Sequence, residues 1–567
     1  MSPRASWSGR WARWALAPTI VLASCGGGEA EPDPGGGDGD GPADSPFRFQ
    51  DATAESGVAM TITSGRTPST QILEVKGGGL ALLDLENDGD LDLFVPNGAT
   101  LDAPAEGPGA RLFENQGGMR FQDATERAGL GFRRWGMGVT AGDVDGDGFD
   151  DLFVACFGPN ALLANRGGER LEERTAEAGL TGPEWNTGCT FGDLDLDGDL
   201  DLYVVGYIQF DLANPPARTR FGDVEVFAGP RGLAAQADRA WENAGDGTFR
   251  EITAEAGFDL VEPAWGLGVV ILDFDGDATP EVFVGNDSMP NFLFRRGEDG
   301  DYADVAPLSG LASNADGQNQ ATMGIAIGDV DGGGFPDVFT TNFASDTNTL
   351  HVNRGELRFL DRSQAYGLGI VSRVYLGWAS MFYDLDHDGD EDLLVFNGHV
   401  YPQEATDQLA AERAQPPLLF ERDGRRFRRV TDPAAGAWLS EPHVDRSAAF
   451  GDLDADGDVD VVVGELNGPV RVLRNDGAPG SWLIVELRDP AGGNPHALGA
   501  RVEARSGGLV QTRWIHVGGS YLAASAPYAH FGFPAGSWSA DLLVTWPDGV
   551  RQEVSGQLLD RHLIVER

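Results

Sequence analysis

The sequence predicts an all-β chain: a seven-bladed β-propeller followed by a small C-terminal β-sandwich-like domain. Three observations carry this expectation. The acidic pattern D-x-D-x-D-G-x-x-D recurs seven times between residues 84 and 460, with starts about 61 residues apart, a period typical of propellers and other repeat arrays. The segments flanking each copy are short and β-rich. Glycine supplies 80 of 567 residues, about twice its usual share, which suits many short strands joined by tight turns.

Copy one is Asp84, Glu86, Asp88, Gly89 and Asp92; copy two is Asp143, Asp145, Asp147, Gly148 and Asp151; copy three is Asp193, Asp195, Asp197, Gly198 and Asp201. Copy four is Asp273, Asp275 and Asp277, with Ala278 in the glycine position and Glu281 at position nine. Copy five keeps Asp329, Asp331 and Asp337 but has Gly333 at the third ligand position. Copy six is Asp384, Asp386, Asp388, Gly389 and Asp392, and copy seven is Asp452, Asp454, Asp456, Gly457 and Asp460.

Small and apolar runs precede the loops, as at 138–141, 267–270 and 323–326. β-Branched and aromatic runs follow them, as at 152–154, 202–204, 282–284 and 461–463. An Asn- or Arg-containing turn comes next (Asn115, Asn165, Asn243), then a short strand of the type Phe-x-Asp-x-Thr at 121–125, 249–253 and 359–363. Each unit thus reads as four strands, one blade, with the acidic loop between its first two strands. One further strand of the last type, at 49–53, stands before the first loop, and the seventh unit lacks its own after Asn475. The N-terminal strand is therefore expected to complete the seventh sheet and close the ring, leaving no free edge.

Three carboxylates at alternate positions, a glycine that permits a reversal and a carboxylate at position nine can wrap one hard cation. Ca²⁺ takes six to eight oxygens in flexible geometry, whereas Mg²⁺ holds a stricter octahedron. An EF-hand would need Glu at position twelve and a helix on either side. Position twelve is Val95, Val154 or Val204 in β-rich runs, which excludes it. Five loops are complete, copy four is nearly so, and Asp329, Asp331 and Asp337 of copy five form a weaker set. The expectation is five to seven structural Ca²⁺ sites.

The formal net charge of −48 argues against binding the nucleic-acid phosphate backbone. Lys76 is the only lysine, so no Walker-type loop stands elsewhere. At 41% hydrophobic residues the chain can build a large core. Cys156 and Cys189 are expected as buried strand residues in different blades, because two cysteines in so long a body make no disulfide framework.

The N-terminal segment reads as address and tether. Arg4, Arg10 and Arg13 precede a short apolar stretch, too short to span a bilayer, which runs into Leu22-Ala23-Ser24-Cys25. These four residues resemble a bacterial lipobox, which implies cleavage before a lipidated Cys25. An ordinary secretory signal with an incidental cysteine is the alternative. Residues 26–46 are rich in Gly, Asp and Pro and read as a flexible spacer. Gly26 is not the Asp that resembles an inner-membrane retention signal, which points to the outer membrane or cell surface. The expected organisation is a signal peptide at 1–24, the lipidated cysteine and linker at 25–46, the propeller at 47–477 and the C-terminal domain at 478–567. Membrane attachment is expected through the lipid alone.

No G-x-S-x-G, H-E-x-x-H or Cys-His zinc spacing occurs, so no catalytic residue is assigned. The face opposite the loops is built by turns carrying Trp135, Trp185, Trp265, Tyr375, Asn397 and His399. Indole rings beside amides suit recognition of a protein or glycan; the competing reading packs the tryptophans between blades and uses the asparagines to close turns. Long inserts at 209–240 and 399–417 leave this same face, and long loops tend to carry function. The leading function is recognition or adhesion outside the cytoplasm. The alternatives are a glycan-active enzyme on a propeller and a scaffold subunit of an envelope assembly.

These repeats, over roughly 47–477, resemble the FG-GAP/VCBS repeats of integrin α-subunit propellers, where such loops carry Ca²⁺. Residues 497–502 (ALGARV), 518–521 (GGSY), 530–532 (HFG) and 546–549 (WPDG) resemble the ASPIC/UnbV domain. The inserts 227–231 (FAGPR) and 397–402 (NGHVYP) also look like that family. The whole chain is similar to the bacterial relatives of cartilage acidic protein. That family typically has a cysteine where Ala228 stands here, so a disulfide in the first insert is not implied. Short β-runs at 483–487, 501–505, 509–516 and 542–546 read independently as a β-sandwich.

Overall fold

The structure is a computed structural model that describes residues 45–182, 184–407 and 411–567. The expected signal peptide, Cys25 and nearly all of the expected linker lie outside the described residues. Residues from Ser45 to Arg567 form one compact unit.

Each acidic loop joins the first two strands of an antiparallel sheet. The first sheet orders Leu80–Leu83, Asp92–Val95, Arg111–Asn115 and Phe121–Asp123. The next five begin with inner strands Trp135–Gly142, Asn186–Gly192, Gly266–Leu272, Ile325–Gly328 and Gly377–Tyr383. The seventh orders Asp445–Gly451, Asp460–Glu465 and Val470–Asn475, and its outer strand is Phe49–Asp51, with Phe49 opposite Asn475. Each inner strand touches the next, and the seventh touches the first. The ring is therefore closed, and it is closed by the N-terminal strand.

The outer-strand motif has a simple physical basis. Phe121 is buried while Gln122 and Asp123 face solvent. Asp123 accepts the Thr125 N–H at 2.9 Å, and the Thr125 hydroxyl accepts the Leu112 N–H of the next strand at 3.1 Å. The aromatic ring anchors the strand, and the two polar side chains tie off its end. In the N-terminal strand Asp51 accepts the Thr53 N–H, and Thr53 accepts the Val472 N–H, both at 3.0 Å. A segment 419 residues distant therefore uses the same chemistry as a native fourth strand.

The C-terminal region forms two sheets. One orders Ala529–Phe533, Ser481–Arg488 and Arg561–Glu566; the other orders Leu509–Trp514, Arg501–Ser506, Ser539–Thr545 and Arg551–Leu558. The strand expected at 509–516 ends at Trp514, because the chain leaves the sheet there and enters the centre of the ring. Ser520 donates its N–H to the Ile325 carbonyl at 2.6 Å and its hydroxyl to the Ala448 carbonyl at 2.8 Å. Ala523 and Ala524 pair in parallel with Leu80 and Ala81, adding a fifth strand to the first sheet. Gly518 is required by this close approach: a Cβ there would stand 2.7 Å from the Val269 carbonyl oxygen. The ring centre is thus filled by a plug from the C-terminal region.

Candidate metal centres

The seven acidic loops share one construction. The position-one carboxylate accepts the position-six N–H in every copy, from Gly89 on Asp84 (2.9 Å) to Gly457 on Asp452 (2.9 Å). Position six has a left-handed backbone, which explains the glycine: φ is 95° at Gly89, and Ala278 in copy four holds 66° despite its Cβ.

The position-nine carboxylate accepts the position-two N–H, as Asp92 does from Leu85 at 3.0 Å and Asp460 from Leu453 at 2.9 Å. Its other oxygen, in every copy but the fourth, accepts an N–H at or near the end of the third strand. In copy four the second oxygen of Glu281 has no hydrogen-bond partner and lies 3.9 Å from the Arg295 guanidinium. Position nine therefore folds the loop as well as facing its interior. The sequence reading assigned it only as an ion ligand.

The arrangement brings the expected ligands together. Ligand atoms of Asp143, Asp145 and Asp151 lie within 4.8 Å of one another, as do those of Asp193, Asp195 and Asp197, of Asp273, Asp275 and Glu281, and of Asp329, Asp331 and Asp337. Position-three oxygens of Glu86, Asp145, Asp275, Asp386 and Asp454 are buried with no hydrogen-bond partner. Burial pushes the carboxyls up: Asp151 and Asp201 to about 8, Glu281 to about 9, Asp92, Asp386 and Asp452 to about 7, and Asp193 to about 6. Asp384, Asp392 and Asp460 are also raised by burial. Convergent buried carboxylates with orphaned oxygens are the donor set of a hard cation. The residues present fit one.

Copy five differs in more than Gly333. Arg354 hydrogen-bonds Asp331, placing a guanidinium against a loop already short of one carboxylate. Copies two and four have comparable arginines, Arg166 at 2.7 Å from Asp145 and Arg295 at 3.0 Å from Asp275, but retain Asp147 and Asp277.

The C-terminal region lies on the loop face. His496 is 3.0 Å from Asp150 of loop two, and Gly493 bridges Asp199 of loop three. His530 contacts the Gly457 carbonyl of loop seven at 2.9 Å, and Arg513 is 3.3 Å from Glu391 of loop six.

The opposite face departs from expectation. Trp135 and Trp185 are 0% and 2% exposed. They form edge contacts with Phe157 at 6.2 and 5.9 Å, and Trp185 also packs on Tyr207. Each stands at the rim of an inner strand, where the neighbouring sheet covers it, so neither offers an open aromatic surface. Asn397 and His399 are also wholly buried; Asn397 donates to the Pro416 carbonyl at 2.9 Å, closing a turn. Trp265 is half-buried and donates to the Leu233 carbonyl at 3.2 Å, while Tyr375 lies under Arg429 at 5.4 Å. The two inserts meet above this face, with Phe227 and Tyr401 rings 5.3 Å apart.

An additional cluster on the seventh sheet was missed from sequence. His443, Asp445 and Glu465 bring ligand atoms within 4.8 Å, with Arg471 tied to Glu465 at 3.1 Å. No acidic loop pattern marks it. Cys156 and Cys189 are both buried free thiols in neighbouring sheets, and burial pushes Cys189 up to about 12. Among the described residues no helix is long and apolar enough to cross a membrane.

The FG-GAP-like repeat profile matches residues 84–154, 143–204, 222–284, 273–340 and 329–395. The ASPIC and UnbV profile matches 490–567. Cartilage acidic protein 1 of Homo sapiens is 28% identical over 325 residues, 55% of this chain and 45% of that protein. The Xenopus tropicalis protein is 29% identical over 314 residues, 53% of this chain and 44% of that one. The matches thus span less than half of these relatives. Among solved structures, an Agrocybe aegerita lectin that recognises non-reducing terminal N-acetylglucosamine has a TM-score of 0.39 at 15% identity, covering 70% of this chain and 95% of the lectin. PorZ, a surface component of the type-IX secretion system of Porphyromonas gingivalis, has a TM-score of 0.41 at 12% identity, covering 86% and 59%. With repeat matches across about half its length and the second profile at its C-terminal end, the chain belongs to the FG-GAP-like repeat family and carries a C-terminal ASPIC and UnbV domain.

Proposed function

We propose that this protein is an exported, lipid-anchored propeller, stabilised by Ca²⁺ in its acidic loops, that recognises a protein or glycan through the face opposite those loops. The observation that carries this reading is the position of the C-terminal region. It covers the loop face, while both inserts and the mouth of the ring lie on the other side.

Ca²⁺ is favoured by an all-oxygen donor set in loops whose ligands are not locked into an octahedron. The holding residues in copies one, two, three, four, six and seven are those named from sequence. Copy five supplies a weaker set. The bound ion neutralises the clustered carboxylates and fixes the loop. Cys25 anchors the protein at the outer membrane or cell surface.

Two experiments test the reading. Cys25→Ser should move the full-length protein from the detergent phase to the aqueous phase; a wild type already aqueous and without acyl mass contradicts the anchor. Purified residues 45–567, the compact unit, should retain defined spots on a combined protein and glycan array in Ca²⁺. Arrays blank in both Ca²⁺ and chelator contradict the recognition role.

A further inference from the structure

A cavity of about 450 Å³ opens at the centre of the ring on the face away from the acidic loops. Its walls include Phe227, Phe343, Trp378 and Tyr401. Lys76 also lines it, although only 3% exposed. Its ammonium lies 4.2 Å from the centre of the Tyr207 ring and 5.7 Å from that of Trp378. The Asp287 carboxylate is 3.8 Å away, an ion-pair distance beyond hydrogen-bond length. That carboxylate is already engaged, accepting the Tyr207 hydroxyl at 2.7 Å and the Ser288 hydroxyl at 3.0 Å.

A second observation is independent of Lys76. Arg446 Nη2, the Tyr521 hydroxyl and His399 Nε2 are buried and have no hydrogen-bond partner in the structure. All three residues are 0% exposed. They gather around two walls of the cavity. The Arg446 guanidinium lies 4.2 Å from the Trp378 ring centre, the Tyr521 ring is 4.7 Å from it, and the His399 ring is 5.6 Å from that of Tyr401. The remaining nitrogens of Arg446 are used, Nε on the Val75 carbonyl at 2.7 Å and Nη1 on the Gly398 carbonyl at 3.0 Å. His399 Nδ1 accepts the Tyr401 N–H at 3.1 Å, so the neutral ring carries its proton on Nε2. Burial holds that ring neutral.

Each of these three orphaned groups can donate a hydrogen bond, and one of them, Arg446, is a cation, as is Lys76 in the cavity wall. Buried donors in this number call for an acceptor, and an acceptor beside the Lys76 ammonium, with the Arg446 guanidinium behind the Trp378 wall, is best an anion. Much of the wall is aromatic, which suits a flat apolar body; the charged lining is Lys76 and Arg231 with Asp287, already engaged, and Asp346, which accepts the Gln320 amide at 3.0 Å. We infer that the cavity binds a small organic anion, a carboxylate or phosphate ester on a flat apolar body, with its charged end at Lys76 and its body against Trp378, Phe343 and Tyr401. Arg446, His399 and Tyr521 support the anionic end from behind. Tyr521 belongs to the plug, so the ASPIC and UnbV domain packs behind one wall of the cavity, against Trp378. The site lies on the face to which recognition is assigned above, but its test reads Lys76 alone and does not depend on that role.

The single lysine makes the test clean. In residues 45–567 the amines are Lys76 and the N-terminus, which serves as an internal control. Pulse acylation at pH 8, read by peptide mass spectrometry, is run with benzoate, phenyl phosphate or neutral benzamide at matched ionic strength. Benzoate or phenyl phosphate is expected to slow acylation of Lys76 at least fivefold and saturably, with the N-terminal rate unchanged. The anion that protects at the lower concentration distinguishes a carboxylate from a phosphate ligand. Equal rates with all three probes, equal protection by benzamide, or a Lys76 that reacts only after denaturation each overturn the proposal.

Discussion

The side-chain amide of Asn115 donates to the main-chain carbonyl of Leu453 at 2.9 Å, across 338 residues of sequence. Asn115 ends the third strand of the first sheet, and Leu453 is position two of the seventh acidic loop. The bond joins the two ends of the ring. It recurs around the circle as Asn165 to Leu85, Asn243 to Val144, Asn353 to Phe274 and Asn475 to Leu385. In the fourth sheet the Tyr302 hydroxyl takes the role, donating to Leu194 at 2.9 Å. Every loop is therefore held by its own sheet through position nine, and every loop but the fifth is also held by the next sheet through position two.

Asn115→Ala should lower stability by about 1–3 kcal/mol, because it strands a buried carbonyl acceptor. Urea unfolding of wild type and variant measures this directly. An unchanged midpoint contradicts the stitching role.

The loops should differ in their sensitivity to chelation. At ten times Kd each bound ion adds about 1.4 kcal/mol to the folded state. Asp147→Ala removes a ligand from a complete loop and should erase a contribution of about that size. Asp331→Ala should cost much less, because copy five lacks a side chain at Gly333 and already places Arg354 on Asp331. Thermal melts with Ca²⁺ and with chelator give both values. Equal losses in the two variants contradict this ranking.

The plug should loosen when the loops lose their ions. The C-terminal region rests on loop residues such as Asp150 and Gly457, and its segment around Ser520 is held by the inner strands. Hydrogen exchange at residues 518–524 should accelerate on chelation, and Gly518→Val should produce the same acceleration in Ca²⁺. Exchange unchanged in both cases contradicts the coupling.

Lys76 should react with acylating reagents at unusually low pH. Burial lowers it from 10.5 to about 8, with Arg446 adding to the effect and Asp287 opposing it. The neutral amine is the nucleophile, so the acylation rate should reach half its plateau near pH 8. Asp287→Asn removes the opposing charge and should move that midpoint lower. A midpoint above pH 10 contradicts the buried placement.

Much of the architecture was legible because its signals are local. The D-x-D-x-D-G-x-x-D turns, the Phe-x-Asp-x-Thr strands and the spare strand at 49–53 each report their own structure. The candidate ligands followed, since alternate carboxylates on one turn converge whatever surrounds the turn. The aromatic face was left between two readings, recognition or packing between blades, for the opposite reason. Trp135 begins one inner strand and Trp185 directly precedes the next, and their burial is set by the adjacent sheet, which no local pattern encodes. The asparagines were read as turn closers, yet Asn115 and its counterparts bond between sheets. The run 518–521 was visible only as a family signature, and its insertion into the ring depends on two regions meeting. Lys76 was noted only for the chemistry it excludes, although its solitude in sequence accompanies a singular position in space.

The central claim is that the repeated acidic loops are structural Ca²⁺ sites, and counting ions tests it most directly. Native mass spectrometry of residues 45–567 in excess Ca²⁺ should show five to seven bound ions, all removed by chelator. Fewer than four ions would contradict the account.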